Sequence, residues 1–121
     1  MKLLLLLFLA VRPVLLEANM QYVTVTGIIR CFGKRVPNVL VELWENDTFD
    51  PNDLLNSEQA DENGEFELTG GDYEFLSIDP YIVITHSCDT RQGRIRKSYF
   101  TVPERHINTG AYHMNDIQLE L

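Results

Sequence analysis

Asp79-Pro80-Tyr81-Ile82-Val83-Ile84-Thr85-His86-Ser87-Cys88 is the most continuously apolar run that follows the N-terminal segment. Pro80 fixes its own φ angle and disfavours a helix before it, so residues 81–85 are predicted to form a strand. Side chains alternate across a strand, and four of these residues therefore share one face: Ile82, Ile84, His86 and Cys88. Because that face carries two isoleucines, we predict a core strand in which His86 has a structural, hydrogen-bonded role.

Further strand patterns lie on both sides of this run. Alternating or β-branched residues predict strands at 22–31, 39–45, 54–59, 65–68, 73–78, 94–102 and 117–121. Gly27 interrupts the first strand, which indicates a bulge or a close backbone approach. Asn63-Gly64 predicts a hairpin turn, and Gly70-Gly71 predicts a second turn. About seven short strands without helical periodicity predict an all-β fold, an antiparallel β-sandwich.

The N-terminal residues are typical of a secretory signal peptide. Lys2 supplies a positive charge, and residues 3–11 form an apolar run that is too short to span a bilayer. We predict a signal peptide at residues 1–18 and one domain at residues 19–121, secreted to the extracellular space and without a transmembrane span. The alternative is an uncleaved membrane anchor, which Arg12 and Pro13 disfavour.

The charge of the chain is acidic and unevenly distributed. Ten Lys and Arg face eighteen Asp and Glu, for a formal net charge of −8, which argues against binding nucleic acid through phosphates. No Lys or Arg lies between Val36 and Thr90, so this long stretch is purely acidic. The basic residues concentrate in two clusters, one after each cysteine: Lys34, Arg35, Arg91, Arg94, Arg96 and Lys97.

Cys31 and Cys88 are the two cysteines of the chain. In a secreted protein two cysteines predict one disulfide, and the alternative is a pair of free buried thiols. If the two are bonded, the basic turns that follow them lie at the same end of the sandwich. The clusters then form one ligand-binding surface for an extracellular protein or an anionic membrane lipid head group. The alternative interpretation is that these are solvated edge charges that discourage strand-to-strand aggregation.

An acidic loop follows the strand at residues 39–45. Asn46-Asp47-Thr48 is a glycosylation sequon, so Asn46 is a predicted glycosylation site. Carboxylate and amide side chains in the loop suggest calcium binding at first sight: Asp47, Asp50, Asn52 and Asp53. Their spacing lacks the glycine and glutamate of the twelve-residue calcium loop, so a solvated loop without a metal is favoured.

Several motifs together resemble the nematode transthyretin-like protein family. They are Val25-Thr26-Gly27 with Cys31, Val41 to Asp47, Asp53-Leu54-Leu55, Asn63 to Leu68, and Asp79-Pro80-Tyr81 through His86 to Cys88. The similarity covers residues 19–121 in order. It implies a secreted sandwich of transthyretin-like, immunoglobulin-like architecture. It implies little chemistry, and the roles proposed for the family centre on extracellular recognition, including the bridging of cell-surface lipid to receptors.

The wider transthyretin fold also includes 5-hydroxyisourate hydrolases, and this is the alternative function. Membership of that enzyme class would require catalytic histidines, an arginine and a terminal Tyr-Arg-Gly-Ser motif. Residues 117–121 read Ile-Gln-Leu-Glu-Leu instead. His86, His106 and His113 have no spacing typical of acid–base work or metal ligation. We therefore predict no catalytic residues, no metal and no cofactor, and the sequence leaves the oligomeric state open.

Overall fold

Eight strands make up most of the part of the chain that the structure describes. The computed structural model describes residues 19–74 and 76–121, and the predicted signal peptide at residues 1–18 lies outside them. The strands are β1 Asn19–Cys31, β2 Lys34–Arg35, β3 Leu40–Glu45, β4 Asp53–Gln59, β5 Glu65–Glu74, β6 Pro80–His86, β7 Arg96–Thr101 and β8 Tyr112–Gln118. Two short 3-10 helices cover Arg91–Gly93 and Glu104–His106. No helix within the described ranges has the length and apolar character needed to cross a membrane.

The strands form two sheets. In the first sheet β1 is central, with β5 and β2 along one side and β8 along the other. The second sheet has the order β4-β3-β6-β7, with every pair antiparallel. The predicted all-β sandwich is confirmed, with eight strands rather than about seven.

The core forms between the facing sides of the two sheets, as the alternation predicts. Val23, Val25 and Ile29 of β1 are fully buried, as are the inward residues of β3 and β6. The opening stretch is confirmed as a core strand, because Ile82, Ile84, His86 and Cys88 are all buried on one face. Burying several branched side chains, at about 1.5–3 kcal/mol each, is what holds the sheets together.

Gly70 and Gly71 do not form the predicted turn. Both lie inside β5, where they pair with Val23 and Tyr22 of β1. A Cβ atom on Gly71 would lie 2.5 Å from the carbonyl oxygen of Gln21, so glycine permits a close backbone approach here. The chain changes direction only after Glu74, and the predicted strand at 73–78 is therefore reduced to the end of β5.

The Asn63-Gly64 turn has the predicted chemistry but different partners. The Asp61 carboxylate accepts hydrogen bonds from the backbone N–H groups of Asn63 and Glu65, and Gly64 has a φ of 73°. The flanking strands β4 and β5 are not a hairpin, because β4 pairs with β3 and β5 pairs with β1. The turn instead carries the chain from one sheet to the other.

β8 differs from the predicted final strand in position and direction. It begins at Tyr112 rather than at Ile117, and it pairs with β1 in parallel. The register shifts between Thr26 and Ile28, at the glycine that predicted a bulge or a close approach. A Cβ atom on Gly27 would lie 2.7 Å from the side chain of Ile117, so the residue shows the predicted irregularity in register, and what approaches it closely is a side chain rather than another backbone segment.

A buried glutamine organises the connection between β5 and β6. The Gln21 side chain donates a 2.7 Å hydrogen bond to the carbonyl oxygen of Leu76 and accepts a 3.0 Å bond from the N–H of Ile78. These bonds replace the strand pairing that the irregular connection lacks. They hold the start of β6 against the start of β1.

Candidate functional site

The predicted disulfide is present. It joins Cys31, the last residue of β1, to Cys88, two residues after β6, with the Cα atoms 5.8 Å apart. The bond thus ties the two sheets together at one end of the sandwich, which we call the disulfide end. Cys88 is also part of the hydrophobic core, so the bond is largely shielded from solvent.

Two turns and the last residues of the chain meet at the disulfide end. Phe32 and Gly33 connect β1 to β2, and residues 87–95 connect β6 to β7. The backbone N–H of Phe32 donates to a carboxylate oxygen of Glu120 at 3.1 Å, and that of Leu121 donates to Asp89 at 2.9 Å. Both basic turns therefore lie at one end, on either side of residues 119–121.

Two of the six predicted ligand-binding residues, Arg35 and Arg96, make hydrogen bonds or an ion pair with other residues of the fold. The Arg96 guanidinium is partly buried and donates to the carbonyl oxygens of Cys88 (3.2 Å) and Leu119. The Arg35 guanidinium pairs with the Glu65 carboxylate at 3.0 Å. The Arg96 side chain thus holds elements of the sandwich together, whereas the Arg35 side chain is still 41% exposed while it pairs with Glu65.

The other four predicted residues are exposed: Lys34, Arg91, Arg94 and Lys97. None of them forms an ion pair within residues 19–74 and 76–121. Lys97 lies opposite Thr85 and points from the outer face of the second sheet, beside Tyr99 and Trp44. Lys34, Arg91 and Arg94 are thus the three cations left for a ligand at the disulfide end itself.

Apolar side chains are exposed among these cations. Phe32 is 67% exposed and Ile95, which follows Arg94, is 75% exposed. Phe32 has a φ of 49°, a conformation that is rare for a bulky side chain. A strained and exposed aromatic ring at the tip of a turn is more typical of a contact surface than of a structural element. Neither residue belongs to a motif that can be recognised in the sequence, although each stands directly beside a cysteine or a basic residue.

His86 has the structural role predicted for it. Its Nδ1 atom accepts a hydrogen bond from the backbone N–H of Cys88 at 3.0 Å, so the proton of the neutral ring lies on Nε2, 2.8 Å from the Ser98 hydroxyl. Burial lowers the pKa of His86 below its ordinary value of 6.5, and the nearby Arg96 guanidinium adds to this effect.

We expect His86 to make a contribution to stability that is lost on acidification, opposite in sign to the contribution of Glu45, whose raised pKa favours the folded protein as the pH falls. A lowered pKa means that the unfolded chain binds more protons, so the stabilisation is present above pH 6.5 and is lost as the pH falls below that value. Urea unfolding between about pH 7.5 and about pH 5 measures the effect. Measured against the wild type, His86→Gln should be relatively more stable at about pH 5 than at about pH 7.5, whereas His113→Gln, which alters an exposed ring, should keep the wild-type pH dependence. An equal pH dependence in His86→Gln and the wild type would contradict this.

The histidines do not converge on one site. His113 lies on the surface strand β8, with Nδ1 2.7 Å from the Thr26 hydroxyl, whereas His86 is buried in β6. His106 stacks against Tyr112, with the ring centroids 4.7 Å apart. Each ring is accounted for by a local contact.

Asn46, the predicted glycosylation site, lies directly after β3. It is exposed, and its side-chain nitrogen donates a 3.2 Å hydrogen bond to Asp79. Its exposure is compatible with an attached glycan, and occupancy stays a prediction.

The predicted solvated loop uses its polar side chains for its own turns. An Asp47 carboxylate oxygen accepts from the N–H of Phe49, and an Asn52 oxygen accepts from the N–H of Asp47. The Asn52 side-chain nitrogen donates to the Tyr81 hydroxyl at 2.9 Å. Asp53 alone turns away from this set, toward β5.

Asp53 joins an acidic cluster that the sequence analysis did not single out. One oxygen each from Glu45, Asp53, Asp72 and Glu74 lies within 4.8 Å of the others. The cluster occupies the end of the sandwich opposite to the disulfide, which we call the acidic end. Burial, together with Asp72 and Glu74, raises the pKa of Glu45 to about 8. Alternation could have placed Glu45 inward, because it has the same parity as Val41 and Leu43.

Comparison with known proteins agrees with the fold and the motifs. The family model of the transthyretin-like family matches residues 26–103. The chain belongs to the transthyretin-like family. This confirms the resemblance found in the sequence.

Three relatives from Caenorhabditis elegans illustrate the similarity. Transthyretin-like protein 16 is 42% identical over 105 residues, which cover 86% of this chain and 79% of that protein. Transthyretin-like protein 46 is 40% identical over 93 residues, covering 74% of this chain and 52% of that protein. Transthyretin-like protein 5 is 38% identical over 112 residues, covering 91% and 81%. None of these family members is named as an enzyme.

Proposed function

We propose that this protein is a secreted, non-catalytic recognition protein whose disulfide end binds anionic lipid head groups on a cell surface. The observation that carries the proposal is the combination at that end of three exposed cations, Lys34, Arg91 and Arg94, with the exposed side chains of Phe32 and Ile95. Peripheral membrane proteins use this combination, because cations attract the head groups while apolar side chains enter the interface.

The charge distribution supports this orientation on a membrane. The acidic cluster lies at the opposite end of the sandwich, so the four carboxylates of that cluster are held away from an anionic bilayer. The Glu120 and Asp89 carboxylates near the basic turns each accept a hydrogen bond from a backbone N–H group. Those bonds direct part of their charge into the fold.

Charge reversal at the disulfide end should abolish binding to anionic vesicles. Each basic residue near a membrane contributes about 1 kcal/mol, so removing two cations in Arg91→Glu, Arg94→Glu should weaken binding by at least about 30-fold. Co-sedimentation with vesicles of phosphatidylserine and phosphatidylcholine, at low and at physiological salt, measures this loss.

The matched control is Arg105→Glu. Arg105 is exposed and lies near the start of β1, where the backbone N–H of Asn108 donates to Tyr22, far from the disulfide end. This variant should bind like the wild type. Phe32→Ala should weaken binding without changing its salt dependence, because it removes apolar contact alone. Binding that survives the double reversal, or that is equal on pure phosphatidylcholine, would contradict the proposal.

A further inference from the structure

The acidic end brings together four carboxylates from three strands and both sheets. Glu45 ends β3 and Asp53 begins β4, whereas Asp72 and Glu74 lie near the end of β5. Each contributes one oxygen to a group in which all the oxygens lie within 4.8 Å of one another. Residues separated by up to 29 positions in sequence therefore present their charges to one small volume.

Glu45 makes this cluster different from an ordinary acidic surface. Its side chain is only 3% exposed, and its Oε2 atom accepts no hydrogen bond from any described residue. One Glu45 oxygen lies within 4.8 Å of an oxygen of each of the other three acids. The Glu45 side chain is therefore directed into the cluster rather than toward bulk water. A buried carboxylate without a partner is strongly unfavourable unless a counter-charge or a proton compensates it.

No Lys or Arg of the described residues forms an ion pair with this cluster. No Lys or Arg occurs between Val36 and Thr90, the stretch that contains all four acids. The ion pairs of the described residues, Arg30 with Asp116 and Arg35 with Glu65, lie toward the disulfide end. Compensation of the cluster is therefore left to a proton or to a cation from solution.

We propose that Glu45, Asp53, Asp72 and Glu74 form a Ca²⁺ site that links the two sheets at the acidic end. Hard cations bind carboxylate oxygens. Ca²⁺ takes six to eight oxygen ligands of any kind in flexible geometry, so water molecules can complete its coordination shell beside the exposed Asp53. Extracellular calcium sites operate at Kd values of about 0.1–1 mM. This site does not depend on lipid binding, because it lies at the other end of the sandwich.

Titration calorimetry of the chelator-treated protein with CaCl₂ tests the proposal. We expect one saturable site with a Kd of about 1 mM or below. Glu45→Gln and Asp72→Asn should each weaken it by about tenfold or more, because each removes a charged ligand. Asp72 is only partly buried, so Asp72→Asn tests the site even where Glu45→Gln perturbs the core.

Glu62→Gln is the matched control. It makes the same charge change in an exposed residue of the turn after β4, at the disulfide end, and should bind Ca²⁺ like the wild type. Ca²⁺ should also raise the Tm of the wild type and of Glu62→Gln by several degrees, but not that of Asp72→Asn. Two results would overturn the proposal. The first is no saturable Ca²⁺ binding up to about 10 mM, which is expected if a proton shared among the carboxylates is the only counter-charge. The second is an equal affinity for Ca²⁺ in Asp72→Asn and Glu62→Gln.

Discussion

The double substitution Cys31→Ala, Cys88→Ala is expected to lower the free energy of unfolding by about 4 kcal/mol. The two cysteines are 57 positions apart, and the bond removes the entropy of closing that loop from the unfolded chain. Domains of this size are stable by only about 5–15 kcal/mol, so this loss is a large part of the total. Urea unfolding, followed by the fluorescence of Trp44, measures it.

The oxidised and reduced wild type provide the control. Reduction should lower the unfolding midpoint of the wild type toward that of the double variant and leave the double variant unchanged. A loss of unfolding free energy below about 1 kcal/mol would contradict the loop-closure argument. It would mean that the disulfide removes little conformational entropy from the unfolded chain.

Gly64→Ala is expected to destabilise the protein by about 3 kcal/mol or more. Gly64 has a φ of 73°, and an added Cβ would lie 2.9 Å from the carbonyl oxygen of Ile29 and 3.1 Å from the backbone of Val36. These are backbone atoms at the junction of β1, β2 and β5, where Ile29 donates to Gly64 and Val36 donates to Ile29. They cannot move aside without breaking strand pairing. Thermal and urea unfolding measure the loss.

Gly33→Ala separates strain from crowding. Gly33 has a φ of 80°, but a Cβ there would meet nothing within 4 Å. Its substitution should therefore cost only the strain of a left-handed alanine, about 1–2 kcal/mol. Equal losses in the two variants would show that the close approach at Gly64 has no energetic consequence.

The two ends of the sandwich carry different chemistry. The disulfide end gathers cations and exposed apolar side chains, whereas the acidic end gathers carboxylates around the buried Glu45. The uneven charge of the sequence thus becomes an end-to-end polarity in the folded protein. The lipid and calcium proposals rest on different ends and can fail independently.

Local patterns in the sequence determined a large part of this fold. Period-two alternation identified β1 and β3, and a continuous apolar run after Pro80 identified β6. Parity then placed Ile82, Ile84 and His86 on one buried face, because side-chain direction in a strand alternates from residue to residue. The two cysteines predicted the disulfide, and the basic residues after them predicted which turns share one end. The motifs also indicated the family.

Tertiary structure alone decided which strands are neighbours. Asn63-Gly64 specifies a tight turn, but whether the next strand pairs with the previous one depends on where each buries its apolar face, and β5 pairs with β1. The Gly70-Gly71 pair shows the same limit. Glycine serves both turns and close approaches, and only the position of the Gln21 carbonyl distinguishes them.

The candidate sites divide in the same way. The sequence identified six basic residues, but Glu65, which pairs with Arg35, and Leu119, which accepts from Arg96, come from distant segments, so only the fold separates the paired cations from the others. Alternation alone could turn Glu45 inward. Its three acidic neighbours lie close to it only because the end of β3, the start of β4 and the end of β5 come together in the fold. This long-range packing, unlike the parity of a strand, cannot be deduced from any local stretch of the sequence.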